Sequence, residues 1–137
     1  MSMLESIKIL KDLNKEELEN LEPLCQERFL KKWEILFNKW DDANSIYLLK
    51  SGEIEVYTEK DKEEIILWFV KAEDILWEMA LFKENKKRMA SAKAVKDTVV
   101  IILLEFALNE IISKHPEVAE KIKNIIKQRE WENKIIL

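Results

Sequence analysis

The sequence contains a single glycine, Gly52, where an average composition would place roughly ten in a chain of 137 residues. Glycine is the usual residue in tight turns, because it adopts positive φ without steric cost. The chain also has one cysteine, which excludes an internal disulfide and favours a reducing compartment. We therefore expect a cytoplasmic protein, and the scarcity of glycine needs an explanation from the positions of other residues.

Histidine is equally scarce, since His115 is the only one, and this nearly excludes histidine-based metal sites and histidine-containing catalytic triads. No apolar run approaches the ~20 residues that span a bilayer, and the first residues lack the features of a secretory signal. The formal net charge of -4 argues against a dedicated nucleic-acid surface. We expect no metal, no membrane partner and no catalysis.

Hydrophobic residues make up 47% of the chain and charged residues 36%, as in a globular protein rather than a disordered one. A chain of this length buries roughly two-thirds of its unfolded surface. No linker, repeat or low-complexity tract divides it. We therefore predict one domain over residues 1–137, with an N-terminal helical segment (1–28), a β-roll (29–104) and C-terminal helices (105–137).

Both ends of the sequence have helical patterns. Asn14 and Glu17 have the spacing of a capping box, and leucines follow at helical intervals, which predicts a helix ending near Gln26. Near the C-terminus the pattern predicts a short helix over 106–113 and a second helix that begins with Pro116. The apolar stripe of that second helix consists of Val118, Ile122, Ile125 and Ile126.

Between these ends, from Phe29 to Leu104, short runs of β-branched and aromatic residues alternate with polar turn segments. The predicted strands are 35–37, 46–49, 54–57, 65–70, 90–95 and 99–104. Several short strands at this spacing favour a sandwich or barrel-like β-fold over a parallel α/β sheet.

One segment makes the prediction specific. The sequence Asp74-Ile75-Leu76-Trp77-Glu78-Met79-Ala80-Leu81, followed by Arg88-Met89-Ala90, resembles the phosphate-binding cassette of cyclic nucleotide-binding domains. Such domains occur in catabolite-activator (Crp/Fnr-type) regulators and in kinase regulatory subunits. Further matching motifs appear in the family's order, at 31–37, 45–56, 94–98 and 115–117. The resemblance implies a double-stranded β-helix, a jelly-roll-like β-roll, with an N-terminal helix and C-terminal helices.

The resemblance also implies a ligand site in the cassette, residues 74–90, and a cyclic nucleotide, cyclic AMP or cyclic GMP, as the ligand. The residues assigned to the ligand are Trp77, Glu78, Met79, Ala80, Arg88, Met89 and Ala90. In the family, the residue matching Glu78 accepts a hydrogen bond from the ribose 2′-hydroxyl. A helix starting near Trp77 would direct N–H groups at the phosphate, and Arg88 would add a forked, charge-assisted contact.

Two positions depart from the family pattern in ways that weaken anion binding. Met89 stands where binding-competent members have serine or threonine, so a hydroxyl donor is lost. One hydrogen bond to a charged group corresponds to about 1.5–3 kcal/mol. Glu73 replaces the glycine that usually precedes Asp74, which adds a carboxylate beside the cassette.

Three of the five tryptophans, Trp33, Trp40 and Trp77, stand where the family has a near-invariant glycine. Such glycines commonly have positive φ, which is costly for a bulky side chain. Our hypothesis is that these positions are glycine in the cell, encoded by UGA in a reassigned genetic code that has been read as tryptophan. If the tryptophans are real, we expect a strained β-roll with a blocked or repurposed pocket.

The leading functional prediction is a regulatory module that senses a cyclic nucleotide and transmits binding through its C-terminal helices to an unknown effector protein. A homodimer through the C-terminal helix is a further option. One alternative is a degenerate fold acting as a protein-interaction module. Another is the sensor part of a truncated Crp/Fnr-type transcription regulator, although no helix-turn-helix follows here and we expect no DNA binding by this chain alone. A cupin-type enzyme would need several histidines and is remote.

Overall fold

The structure is a computed structural model that describes residues 10–72, 75–76, 87–88 and 90–133. Three helices and eight strands lie in this part of the chain. The helices are α1 (Lys15–Leu21), α2 (Glu105–Lys114) and α3 (Pro116–Asn133). The strands are β1 (Cys25–Leu30), β2 (Ile35–Phe37), β3 (Ser45–Ser51), β4 (Glu53–Lys60), β5 (Glu63–Lys71), β6 (Ile75–Leu76), β7 (Ser91–Ala94) and β8 (Thr98–Leu104). No helix in these ranges is both long and apolar enough to cross a membrane.

The eight strands form two antiparallel four-stranded sheets. The first sheet has the order β1-β8-β3-β6 and the second has the order β2-β7-β4-β5. Apart from the β4–β5 hairpin, neighbours within a sheet are not consecutive along the chain, as expected when a strand pair is rolled up on itself. The predicted fold class, mainly β with flanking helices in a jelly-roll-like β-roll, is confirmed.

Two hydrophobic clusters lie on opposite faces of the first sheet, because successive strand residues point to opposite sides. The helix-side core joins this sheet to all three helices and includes Ile46, Leu48, Ala107, Ile111, Val118 and Ile122. The roll interior lies between the two sheets and includes Leu30, Phe37, Tyr47, Leu49, Val56 and Val100. The buried part of the predicted α3 stripe is thus Val118 and Ile122; the side chains of Ile125 and Ile126 lie outside the described part.

The N-terminal helix has the predicted capping box, in which the Asn14 side chain accepts from the Glu17 N–H and Glu17 accepts from the Asn14 N–H. The helix ends at Leu21, however, and not near Gln26. A short 3-10 turn with Pro23 follows, and Cys25 already begins β1. Pro23 cannot continue the helical hydrogen bonding, and pairing of β1 with β8 then takes residues 25–30 into the first sheet.

Two of the three glycine-like tryptophans lie within the described residues, and both have positive φ. Trp33 has φ 73° and Trp40 has φ 77°, close to the φ of 95° at Gly52. Their indoles project outward and are 58% and 64% exposed. The side chains therefore avoid a clash although the backbone conformation is one that favours glycine. Trp77 lies outside the described residues.

Gly52 occupies a position where a side chain is excluded for a second reason. A Cβ there would lie 2.6 Å from the Cα of Thr98 and 2.7 Å from the carbonyl oxygen of Asp97. Carbon atoms do not approach backbone atoms this closely, so the turn between β3 and β4 requires glycine by space as well as by φ. The turn between β4 and β5 instead uses Asp61 and Lys62, with φ 54° and 68°, as in a two-residue type I′ hairpin.

Candidate functional site

Two of the seven predicted ligand-binding residues, Arg88 and Ala90, lie in the described part of the chain. The other five, Trp77, Glu78, Met79, Ala80 and Met89, lie outside the described residues, and so does Glu73. In the described part of the chain the site consists of Arg88, the buried Ala90 and the side chains that surround them.

The backbone of Arg88 is tied to the turn that follows β2. Its N–H donates to the carbonyl oxygen of Asp41 at 2.7 Å, and its own carbonyl oxygen accepts from the Trp40 N–H at 2.9 Å. The carboxylate of Asp41 closes the turn by accepting from the Asn38 N–H at 2.8 Å. Next to these bonds, Asp42 forms a β-bridge and an ion pair with Lys87. The glycine-like turn at Trp40 thus fixes where the Arg88 side chain starts.

The side chain of Arg88 enters the roll interior, where it is only 1% exposed. Its guanidinium carbon lies 4.4 Å from the centre of the Phe37 ring and 5.3 Å from the centre of the Tyr47 ring. The two rings are stacked, with centres 5.8 Å apart and an angle of 25° between their planes. A guanidinium is attracted to such aromatic faces, so the rings stabilise a positive charge inside the roll.

One hydrogen bond directs this guanidinium towards the start of β3. Arg88 Nη2 donates to the carbonyl oxygen of Ser45 at 3.1 Å, and Ser45 is itself buried. Because arginine stays protonated at any ordinary pH, the interior carries a permanent cation at this point. The predicted role of Arg88 required its side chain to point into the roll, and it does so. Phe37 and Tyr47 were not predicted as site residues, although both lie in predicted strands, 35–37 and 46–49.

A second polar cluster lies on the helix side, away from Arg88. His115 follows α2, as expected for a helix-end residue, and its N–H donates to the carbonyl oxygen of Ile111 at 2.7 Å. Its ring nitrogens face two carboxylates, Glu17 on α1 through Nε2 and Glu117 on α3 through Nδ1 at 3.0 Å. Hydrogen bonds to Glu17 and then to Glu117 raise the pKa of His115 above its usual value of 6.5, because both carboxylates favour the charged ring.

A third polar cluster lies on the outer face of the second sheet. Lys93 Nζ lies 2.8 Å from Glu64, 3.4 Å from the buried Glu55 and 4.7 Å from the Tyr57 ring centre. The hydrogen bond to Glu64 raises the pKa of Lys93 and keeps it charged. Sequence alternation placed Glu55 opposite Ile54 and Val56 but did not identify its partner. Within the described ranges, no group of three or more side chains has the composition of a metal site.

Comparison with known proteins identifies the family. The family model described as "Cyclic nucleotide-binding domain" matches residues 27–115, which include most of β1, all of β2 to β8, α2 and Arg88. The Anaerobic regulatory protein of Bacillus subtilis is 34% identical over 86 residues, which cover 62% of this chain and 36% of that protein. The chain therefore spans about a third of the length of this curated relative.

Two solved structures have the same fold. The Catabolite Activator Protein of Thermus thermophilus matches 93% of this chain and 60% of its own, with TM-score 0.77 and 25% identity. The regulatory domain of Toxoplasma gondii PKA, solved with cAMP, matches 80% of this chain and 41% of its own, with TM-score 0.68 and 25% identity.

Proposed function

The chain belongs to the cyclic nucleotide-binding domain family, and on this premise we propose that it is a regulatory module for cyclic AMP or cyclic GMP. The ligand's phosphate is held by Arg88. The observation that carries the proposal is the guanidinium inside the roll, supported by aromatic rings rather than exposed at the surface. A cyclic phosphate has a single negative charge, and a forked contact with a guanidinium matches it in charge and geometry.

The remaining cassette residues would have the roles that the family resemblance assigns. Glu78 would accept from the ribose 2′-hydroxyl, backbone N–H groups of 77–80 would face the phosphate, and Ala90 would keep the site narrow. Met89 supplies no hydroxyl, so Arg88 would carry a larger share of the phosphate contact than in members with serine or threonine there. We expect the affinity for cyclic nucleotide to depend strongly on this one side chain.

Binding would be coupled to a change in conformation, since Arg88 is only 1% exposed. An anion reaches the guanidinium only in a state where the surrounding groups have moved, and ligand binding would increase the population of that state. A regulatory module needs such a difference between two states, because a ligand with equal affinity for both states does not change their populations.

The start of β3 offers a route from the ligand to the C-terminal helices. The carbonyl oxygen of Ser45 accepts from Arg88 Nη2, and the preceding carbonyl, that of Asn44, accepts at 2.9 Å from the first N–H of α2, at Glu105. Two consecutive peptide groups thus contact the proposed phosphate-binding side chain and the first residue of α2. If a phosphate takes over the Nη2 donor, the Ser45 carbonyl loses its partner and α2 can shift with it. The effector protein would contact α2 or α3, and a homodimer through α3 is the other way to use that shift.

Calorimetric titration with cyclic AMP and cyclic GMP tests the proposal. We expect one saturable site, and we expect Arg88→Lys to weaken binding by about tenfold or more, because a forked contact becomes a point contact. Arg28→Lys is the matched control, since Arg28 lies on the surface of β1 and pairs with Glu34. The same titrations on Trp77→Gly determine whether an indole at that position blocks the site. Absence of binding in both backgrounds would rule out the proposed ligand.

The main alternative is a module that keeps the fold for protein interaction and binds no nucleotide. Met89 and Glu73 favour it, because the first removes a donor to the phosphate and the second adds a negative charge. Under this alternative, Trp77→Gly restores no binding and Arg88 serves only packing. A sensor part of a Crp/Fnr-type regulator would bind the nucleotide as proposed, with DNA contacts made by further helices.

A further inference from the structure

We infer that Phe37 and Tyr47 are the positioning residues of the phosphate site: their stacked rings fix the plane of the Arg88 guanidinium. This inference rests on the proposed function, because it gives these rings a role in binding the same anion. The juxtaposition that supports it is that both ring centres lie within cation–π range of one buried guanidinium, at 4.4 and 5.3 Å.

The two rings come from different sheets. Phe37 is the last residue of β2 in the second sheet, and Tyr47 lies in the middle of β3 in the first sheet. The stacked pair therefore crosses the roll interior and joins both walls at the level of Arg88. Both side chains are buried, so solvent does not compete for the guanidinium faces. A ring plane set by two sheets is a rigid reference for the orientation of a forked donor.

The positions of the donors follow from this geometry. A guanidinium that lies flat against an aromatic face keeps its N–H groups in its own plane, directed along that face. Arg88 Nη2 uses this direction to reach the carbonyl oxygen of Ser45. A phosphate in the same plane would meet donors that need no reorientation. A lysine has no plane for the rings to fix, which is why we expect arginine to be required.

The test removes each ring in turn and measures affinity for cyclic AMP, by calorimetry on the full chain. Phe37→Leu and Tyr47→Leu keep an apolar side chain and should each weaken binding by about tenfold or more. Tyr47→Phe keeps the ring and should restore affinity to within about threefold of the parent. Tyr57→Leu is the matched control, because Tyr57 lies under Lys93 at 4.7 Å on the outer face of the second sheet and should leave affinity unchanged.

A double-mutant cycle separates positioning from simple packing. If the rings act through the guanidinium, Phe37→Leu should have little further effect in an Arg88→Lys background, so the two effects do not add. A merely structural role would lower affinity by the same factor in both backgrounds. Full additivity, or unchanged affinity of Phe37→Leu in the parent, would overturn the inference.

One measurement needs no nucleotide and keeps the two proposals distinguishable. Ring currents from Phe37 and Tyr47 should displace the NMR signal of the Arg88 Nε–H, and Phe37→Leu should move that signal towards the values of surface arginines. If this displacement is observed but no cyclic nucleotide binds, the proposed function fails and the ring–guanidinium placement stands. If nucleotide binds and the Arg88 signal lies with that of the exposed Arg28, the positioning role is wrong. Thermal melts identify any leucine variant that fails to fold, and the displacement of the Arg88 signal in the parent then carries the test.

Discussion

The first sheet has two faces with different chemistry, although the same strands form both. The face towards the helices is aliphatic, with Ile46 and Leu48 packed against α2 and α3. The face towards the roll interior, one residue further along β3, has Tyr47 and Leu49, and the guanidinium of Arg88 lies against Tyr47. Polar groups on the helix side lie at its rim, where His115 meets Glu17. Because alternate residues of a strand point to opposite sides of the sheet, the interior face contacts a charged side chain and the helix-side face consists of packed aliphatic side chains.

This arrangement suits a regulatory module, because a displacement of one sheet affects the residues on both of its faces. A change at the interior face displaces the same backbone that the helices pack on. Ser45 illustrates this, since its carbonyl oxygen accepts from Arg88 while its neighbour Asn44 accepts from the first residue of α2. The four predictions below test whether the faces are functionally distinct, beginning with the largest effect on stability.

Leu48 and Leu49 give the sharpest test, since they are adjacent, both fully buried and on opposite faces. We expect Leu48→Ala and Leu49→Ala each to lower the free energy of unfolding by about 2–5 kcal/mol, as for other large-to-small core changes. Leu48→Ala should leave nucleotide affinity of the folded protein unchanged and increase hydrogen exchange in α2 and α3. Leu49→Ala should lower affinity instead. Denaturant unfolding, calorimetry and hydrogen exchange measure the three quantities, and equal effects of both changes on affinity would contradict the distinction.

Gly52 lies where the chain passes from β3 in the first sheet to β4 in the second, so a change there should affect both faces. Gly52→Ala combines a positive φ of 95° with a Cβ that would lie 2.6 Å from the backbone of Thr98. We expect a loss of about 2–4 kcal/mol in the free energy of unfolding, from backbone strain and displaced neighbours together. Asp61→Ala is the control, because it has positive φ in an open hairpin turn. Denaturant unfolding that gave equal losses would show that φ alone matters.

The rim of the helix side should respond to pH while the interior does not. Because the folded-state pKa of His115 is raised, the stability from its pairing with Glu17 and Glu117 is fully present below its unfolded pKa. That stability is lost as the pH rises through the folded-state pKa. Glu110 and Lys114 on α2 line a groove together with His115 and Glu17. Asp12, which is paired with Lys121, also interacts electrostatically with His115. The pKa of Glu17 is lowered, chiefly by its hydrogen bond with His115, so its contribution is lost on the acid side instead.

Thermal melts from about pH 5 to about pH 9 measure this response. We expect the melting temperature of the parent to fall above the ordinary histidine pKa of 6.5, and His115→Gln to flatten that part of the profile. Tyr57→Leu, which changes the outer face of the second sheet, should keep the parent's pH profile. Nucleotide affinity should change little over the same range, since Arg88 stays charged throughout. An unaltered profile in His115→Gln would show that the pairing of His115 with Glu17 and Glu117 contributes nothing to stability.

The fold could be predicted because its signals are local. The capping box at Asn14, the alternation of residues 54–56 and Pro116 at the start of a helix each depend on a few neighbouring residues. The predicted end of α1, near Gln26, was wrong because residues 25–30 pair with β8, which lies far along the chain. Arg88 was predicted from a motif, but its aromatic partners were not. Phe37 and Tyr47 lie far from it in sequence, and which strand faces another is set by tertiary pairing rather than by local pattern.

The smallest expected effect concerns the exposed turns, where Trp33 and Trp40 have φ of 73° and 77° but open surroundings. Replacing either by glycine relieves about 1–2 kcal/mol of left-handed strain. Glycine also gives the unfolded chain more conformational freedom, which offsets about 0.5–1 kcal/mol of this gain in stability. Each replacement also removes a cation–π contact with a lysine, which lies 5.2 Å from the Trp33 ring centre and 5.1 Å from the Trp40 ring centre. Such a contact at an exposed site is worth about 0.5–1 kcal/mol. Trp33→Gly and Trp40→Gly should therefore change the free energy of unfolding by less than about 1 kcal/mol, in contrast to Gly52→Ala. A change this small would mean that tryptophan at these two turns has no stability advantage over glycine, as expected if glycine is the residue encoded there. UGG codons at positions 33, 40 and 77 would contradict that origin, and a loss of several kcal/mol in either variant would show that the indole has a structural role.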